Sequence, residues 1–167
     1  MFSRLSWLFA LLSALVLTAA GASAQAADLP KSGKYSGKFG WYSVGKGYEI
    51  EKDHLFWVGE FSGAFFNDAG SGFFHDAAVQ CPGMNDIASD GSAFAHGYCI
   101  MTDKDGDKAY LAWKCKGKIG DKCNGDFQWT GGTGKYSGIK GANKFYGVVL
   151  VPTSSGYSSW EGSWELP

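Results

Sequence analysis

Neither sign of charge is in excess in this sequence: 15 basic residues stand against 16 acidic ones over 167 residues, a formal net charge of −1. Binding a nucleic-acid backbone takes a concentrated positive surface, so the balance excludes that class of partner. The densest basic stretch, Lys114, Lys116, Lys118 and Lys122, has Asp121 beside it and reads as a solvated loop. Long apolar runs are missing after Leu17, and no later segment reaches the length of a membrane-spanning helix. A C-x2-C pair is also missing, which removes the spacing of zinc ribbons and of dithiol redox centres. No G-x-S-x-G elbow marks a serine nucleophile.

What is present begins with an address. Arg4 precedes an apolar run from Leu5 to Leu17, and Ala22-Ser23-Ala24 supplies the small residues of an A-x-A cleavage site. That order describes a secretory signal peptide over residues 1–24, and the run is short for a bilayer span. The expected product is periplasmic or secreted, with residues 25–167 as one domain and no membrane span. It keeps 24 of the 25 glycines, and the whole sequence holds 27 aromatic residues. Glycine at this density, with large aromatics between, fits short twisted strands with bends and bulges. Strands are expected near Gly37–Val44, Leu55–Phe66, Phe73–Gln80, Ala93–Thr102, Lys108–Cys115, Asp126–Thr130, Phe145–Val151 and Tyr157–Leu166. Eight strands joined by short turns predict an all-β antiparallel barrel, whose closure removes exposed edges. A two-sheet sandwich is the structural alternative.

The most informative stretch runs from Gly125 to Leu150. Phe127 and Trp129 alternate with polar neighbours, as in a strand with one buried face. Gly131-Gly132-Thr133-Gly134 then allows a tight reversal, and Lys144–Val151 resumes the sheet. The segment Gly131–Gly141, GGTGKYSGIKG, resembles the GGTGK-aromatic-x-G-x-x-G hairpin of the allene oxide cyclase/dirigent-like barrel superfamily, which includes small secreted bacterial proteins. The resemblance implies an eight-stranded barrel and points to dimers or trimers. It carries no activity with it, because one fold hosts many functions.

Other patterns thin out on inspection. The four cysteines, Cys81, Cys99, Cys115 and Cys123, all lie in the exported part and are expected as disulfides. Three pairings exist; the strand order favours Cys81–Cys99 across the third and fourth strands and Cys115–Cys123 closing Lys116–Lys122. Asp103-Lys104-Asp105-Gly106-Asp107 begins like a calcium loop, but Lys108 and Lys114 occupy positions where that loop needs other residues. A hairpin turn at Asp105-Gly106 is expected instead. Gly134-Lys135 fails the P-loop pattern, since Tyr136 and Trp129 stand where Ser/Thr and Gly are required; Ser137 breaks the dinucleotide pattern. His54, His75 and His96 recur every 21 residues, so a three-histidine metal site needs all three to face one interior. His54 lies in a charged stretch, and the other two read as ordinary strand residues. No metal and no cofactor is expected.

Two features of Leu55–Phe66 bear on function. Glu60 is the one charge on either face; turned into an aromatic cavity it would be desolvated and suited to proton transfer. Trp57, Phe61 and Phe65 share the other face with Gly59 and Gly63, an alternation that leaves room beside flat walls for a ligand. The leading expectation is a non-enzymatic barrel that binds a small, partly apolar molecule or a partner surface. The alternatives are a cyclase or isomerase working in the barrel cavity with Glu60, and a structural envelope or matrix protein.

Overall fold

Strict alternation of large apolar and polar side chains commits each strand to one buried face. In the computed structural model, which describes residues 29–150 and 153–167, this alternation builds eight strands: β1 (Ser32–Glu51), β2 (His54–Asn67), β3 (Ala77–Ile87), β4 (Ser92–Thr102), β5 (Lys108–Lys118), β6 (Cys123–Gly132), β7 (Ala142–Leu150) and β8 (Ser155–Glu165). Each pairs antiparallel with the next, and β8 returns to β1, closing a barrel. Tyr35, Phe39 and Trp41 are buried while Lys34, Ser36 and Lys38 alternating with them are exposed, the period-2 signature of a sheet with an apolar inside. The sandwich alternative is excluded by the closure. The expected signal peptide and Val151 lie outside the described residues. Among the described residues, no helix is long and apolar enough to cross a membrane.

One strand is displaced from its expected place. The third strand is β3 at Ala77–Ile87, not Phe73–Gln80. Phe74 and Asp76 have φ values of 51° and 59°, a left-handed backbone that no strand continues through. Phe73 and Phe74 therefore leave the ladder and turn inward from the β2–β3 connection. At its far end β3 runs on through Pro82. The β3–β4 ladder is interrupted between Gln80–Ile100 and Gly83–Gly97, where a proline has no N–H to donate. The Cys81–Cys99 disulfide crosses this gap, and Cys115–Cys123 joins β5 to β6. Both match the expected pairing. In the loop-entropy account they contribute about 3 and about 2.5 kcal/mol.

The two ends of the barrel differ. The connections 68–76, 103–107 and 133–141 gather at one end, and the tight turns at 52–53, 88–91 and 119–122 at the other. Long connections bring their own side chains, and here they form a plug. Phe73 stacks on Trp164 at 4.0 Å, and Phe74 on Tyr136 at 4.1 Å. Ile139 and Met101 are buried with them. Asn67 ties the first connection down, donating to the Phe73 carbonyl at 3.0 Å and accepting from the Ala69 N–H at 2.9 Å. Turns of two or four residues bring nothing comparable, so the opposite end stays open.

Candidate functional site

The open end leads into a cavity of about 430 Å³. Its walls come from inward positions of all eight strands, with Trp41, Trp57, Phe61, Trp113 and Phe145 the large flat members. Phe61 lies edge-on to Trp41 and to Trp113, with centroids 5.0 and 6.1 Å apart. Phe39, Leu111, Phe127 and Trp160 form the floor. The small residues Ala93, Ala95 and Gly117, with the disulfide cysteines, line the opposite wall and leave the space. Ser43 and Asn85 supply neutral polar points. The ionisable lining residues are Lys118 and Asp121, both exposed and both at the β5–β6 turn that forms the rim.

The residues expected at the site divide. Trp57 and Phe61 line the cavity. Phe65 does not: it is fully buried below the floor, stacked on Trp160 at 5.2 Å. Full burial of such a side chain stabilises by roughly 1.5–3 kcal/mol, so its place is in the packed half. Nor do Gly59 and Gly63 open space. A Cβ at Gly63 would fall on the Gly40 carbonyl and the Trp41 Cα, and one at Gly59 on the Val44 carbonyl and the Trp57 indole. These glycines let β1 and β2 approach closely; the room comes from Ala93 and Ala95 across the barrel.

Glu60 belongs to the outward set. Its same-face neighbours Val58 and Phe66 are 46% and 49% exposed, and its carboxylate accepts a hydrogen bond from Ser62. The inward orientation on which a proton-transfer role depended is not met. Trp41, Trp113 and Phe145 were missed by sequence reasoning, although the alternation through Phe39 and Trp41 carried the signal for the first of them.

The histidines do not meet. His54 opens β2 and pairs with Asp86 at 2.6 Å. His75 sits in the β2–β3 connection rather than in a strand, 3.5 Å from Asp76, and His96 is exposed on β4. Among the described residues no three His, Cys, Asp or Glu side chains cluster as metal ligands would.

The acidic hairpin and the glycine motif turn out to be one device at the plugged end. Asp103, with a side chain 7% exposed, accepts from the Asp105 and Asp107 N–H groups at 2.9 and 3.0 Å, closing the β4–β5 turn. Its second oxygen takes the Tyr136 hydroxyl at 3.1 Å and the Lys135 ammonium at 2.6 Å. Lys135 also reaches Asp105 at 2.5 Å, and its N–H donates to Asp107 at 3.2 Å. Gly134 adopts φ 51°, and a Cβ there would collide with the Asp107 carboxylate. The carboxylates that resemble a calcium loop are thus taken up by the chain's own donors.

Burial alone would raise the Asp103 carboxyl, but the hydrogen bonds from Lys135, the Asp105 N–H and Tyr136 outweigh it and hold it below the ordinary range. Lys135 is held above its ordinary value: desolvation works against this, and its bonds to Asp103 and Asp105 prevail. Burial, then the charge and hydrogen bond of Asp103, push the Tyr136 phenol far up.

No protein-family description matches the chain, and no curated protein does. Among solved structures, a pterocarpan synthase dirigent protein superposes with a TM-score of 0.51 over 82% of this chain and 89% of that one, at 10% identity. At that identity the likeness is one of fold: a dirigent-like barrel. The two disulfides fit an extracellular or periplasmic protein.

Proposed function

We propose that the protein is an exported, non-enzymatic barrel that takes a small, flat, partly apolar molecule into its open end. The observation that carries this reading is the chemistry of the cavity wall: aromatic faces and alanines in depth, neutral polar groups at Ser43 and Asn85, and ionisable groups at the rim. About 430 Å³ falls within the range of small-molecule sites, which are mainly apolar with a few orienting polar groups. Acid–base catalysis needs a titratable group within hydrogen-bond reach of the substrate, and Glu60 on the outer face offers none. A purely structural barrel has no need of an unfilled interior, and packing that space would add stability. The dirigent-like fold supports a substrate-holding role as an analogy of architecture.

Native mass spectrometry of protein purified from its own host tests the reading. The expected spectrum shows the chain carrying one small organic molecule that is lost on denaturation. A bare chain that also takes up no flat apolar compound when these are supplied overturns it.

A further inference from the structure

The barrel is closed, yet one strand outruns its neighbour. β1 pairs with β8 only through Tyr42, and Ser43 adds a last bond from its N–H to the Ser154 carbonyl at 2.7 Å. β1 then continues to Glu51 beside β2 alone. Among the described residues nothing pairs with its other edge, and every residue from Val44 to Glu51 is exposed. Along a strand, N–H and C=O groups of alternate residues point to the same side. Since Ser43 points toward β8, Gly45, Gly47 and Glu49 point the same way, away from β2 and toward no partner among the described residues. A register shift between Glu49 and Glu51 ends the regular ladder, so the free edge is Gly45–Glu49. Unpaired edges of this kind are templates for another strand.

We propose that this edge pairs antiparallel with the same edge of a second copy of the chain, about a two-fold axis at Gly47. The sequence is complementary to itself in that register. Gly47 opposes Gly47, Gly45 opposes Glu49, and Lys46 opposes Tyr48, so no like charges meet. The hydrogen-bonding residues of both copies coincide, giving about six inter-chain bonds by the antiparallel pattern. Shifting the register by two residues one way sets Lys46 against Lys46 and runs Glu49 into Ser43, which Ser154 already occupies. Shifting it the other way carries the pairing past the irregularity at Ile50. Lys46 already lies over the Tyr48 ring of its own strand, 4.9 Å from the centroid, and opposite Tyr48 of the second copy it makes the same kind of contact. Gly45 and Gly47 carry no side chain to obstruct the approach on the inner side of the ribbon. Such an isologous contact makes a closed dimer rather than a fibre.

Sedimentation velocity of the purified full-length protein over a dilution series reads the outcome. A dimer that dissociates on dilution is expected, and Gly47→Pro, which removes a free N–H and no β1–β2 bond, should sediment as a folded monomer with an unchanged circular dichroism spectrum. A wild-type monomer at every concentration overturns the proposal, whether or not the edge then accepts a strand from another protein. So does a dimer that Gly47→Pro leaves intact. If Gly47→Pro fails to fold, the double variant Lys46→Cys/Tyr48→Cys decides. These positions oppose each other as a close pair in the proposed register, at a spacing a disulfide accepts. Oxidation should give a covalent dimer on a non-reducing gel, and a product that stays monomeric refutes the register.

Discussion

Replacing Asp103 with asparagine isolates the latch that joins the glycine motif to the acidic hairpin. The amide oxygen can still accept the two backbone N–H groups at 2.9 and 3.0 Å. Its NH2 then faces Lys135 and Tyr136, both donors. Lys135 is 34% exposed and keeps Asp105, so its loss is small once solvent screening is counted. Tyr136, at 2% exposed, keeps a buried hydroxyl with its acceptor gone. A hydrogen bond to a charged group contributes about 1.5–3 kcal/mol, and a stranded buried donor costs about 1–3 kcal/mol. Together these predict a loss of about 2–3 kcal/mol, read as a lower urea midpoint with an unchanged slope. The sign of the pH dependence follows from the lowered carboxyl. Stability from Asp103 is fully present above its unfolded value near ~3.9 and is lost as pH falls through the folded value. The gap between wild type and variant should therefore narrow as pH falls below that unfolded value. A neutral-pH loss under about 0.5 kcal/mol, the scale of an ordinary surface change, would refute the latch.

Gly63→Leu should destabilise by about 3 kcal/mol, at or beyond the upper end of overpacking, because the new side chain meets the backbone of Gly40 and Trp41; thermal unfolding close to that of wild type would show that β1 and β2 are not so near. Replacing Cys115 and Cys123 together with serine should cost about 2.5 kcal/mol in the entropy account and, by keeping the cavity floor intact, leave probe binding measurable; lost binding with retained stability would mean that the β5–β6 rim orders the site. Tyr136→Phe should cost about 1.5 kcal/mol, the low end for a hydrogen bond to a charged group, because Asp103 keeps Lys135 and two N–H donors and no buried donor is stranded; it should cost less than Asp103→Asn in the same urea series, and the reverse order would misassign the latch.

The barrel was legible because its signal is local. Period-2 writing through Phe39–Trp41 or Phe127–Trp129 fixes which side chains face inward; eight such strands with short turns fit a barrel or a sandwich, and the long-range β1–β8 pairing decides for the barrel. The third strand was misread for a reason the sequence does not display: Phe73-Phe74 has the composition of a strand but a backbone turned left-handed at Phe74, and only the tertiary pocket above Trp164 explains that choice. The same limit applies at the site. Trp57 and Phe61 were placed correctly on one face, but how far along the barrel the plug extends decides which aromatic lines a cavity and which lies under it. Phe65 fell on the plugged side. The glycines of β2 suggested empty space, and close strand contact filled it. The acidic turn and the glycine motif are some thirty residues apart, and nothing local to either shows that Asp103 receives Lys135 and Tyr136.

Titration with a flat, environment-sensitive aromatic fluorophore, comparing wild type with Ala95→Phe, tests the central claim most directly. Ala95 is 3% exposed and lines the cavity wall. If the space beside it is free to receive a ligand, wild type binds one probe saturably, and the phenylalanine occupies the site. The variant then loses at least tenfold in affinity while unfolding within about 1 kcal/mol of wild type, below the usual 1–3 kcal/mol cost of overpacking. No saturable binding by wild type, together with strong destabilisation of Ala95→Phe, would contradict the account: the interior would be packed, and the barrel would hold no ligand.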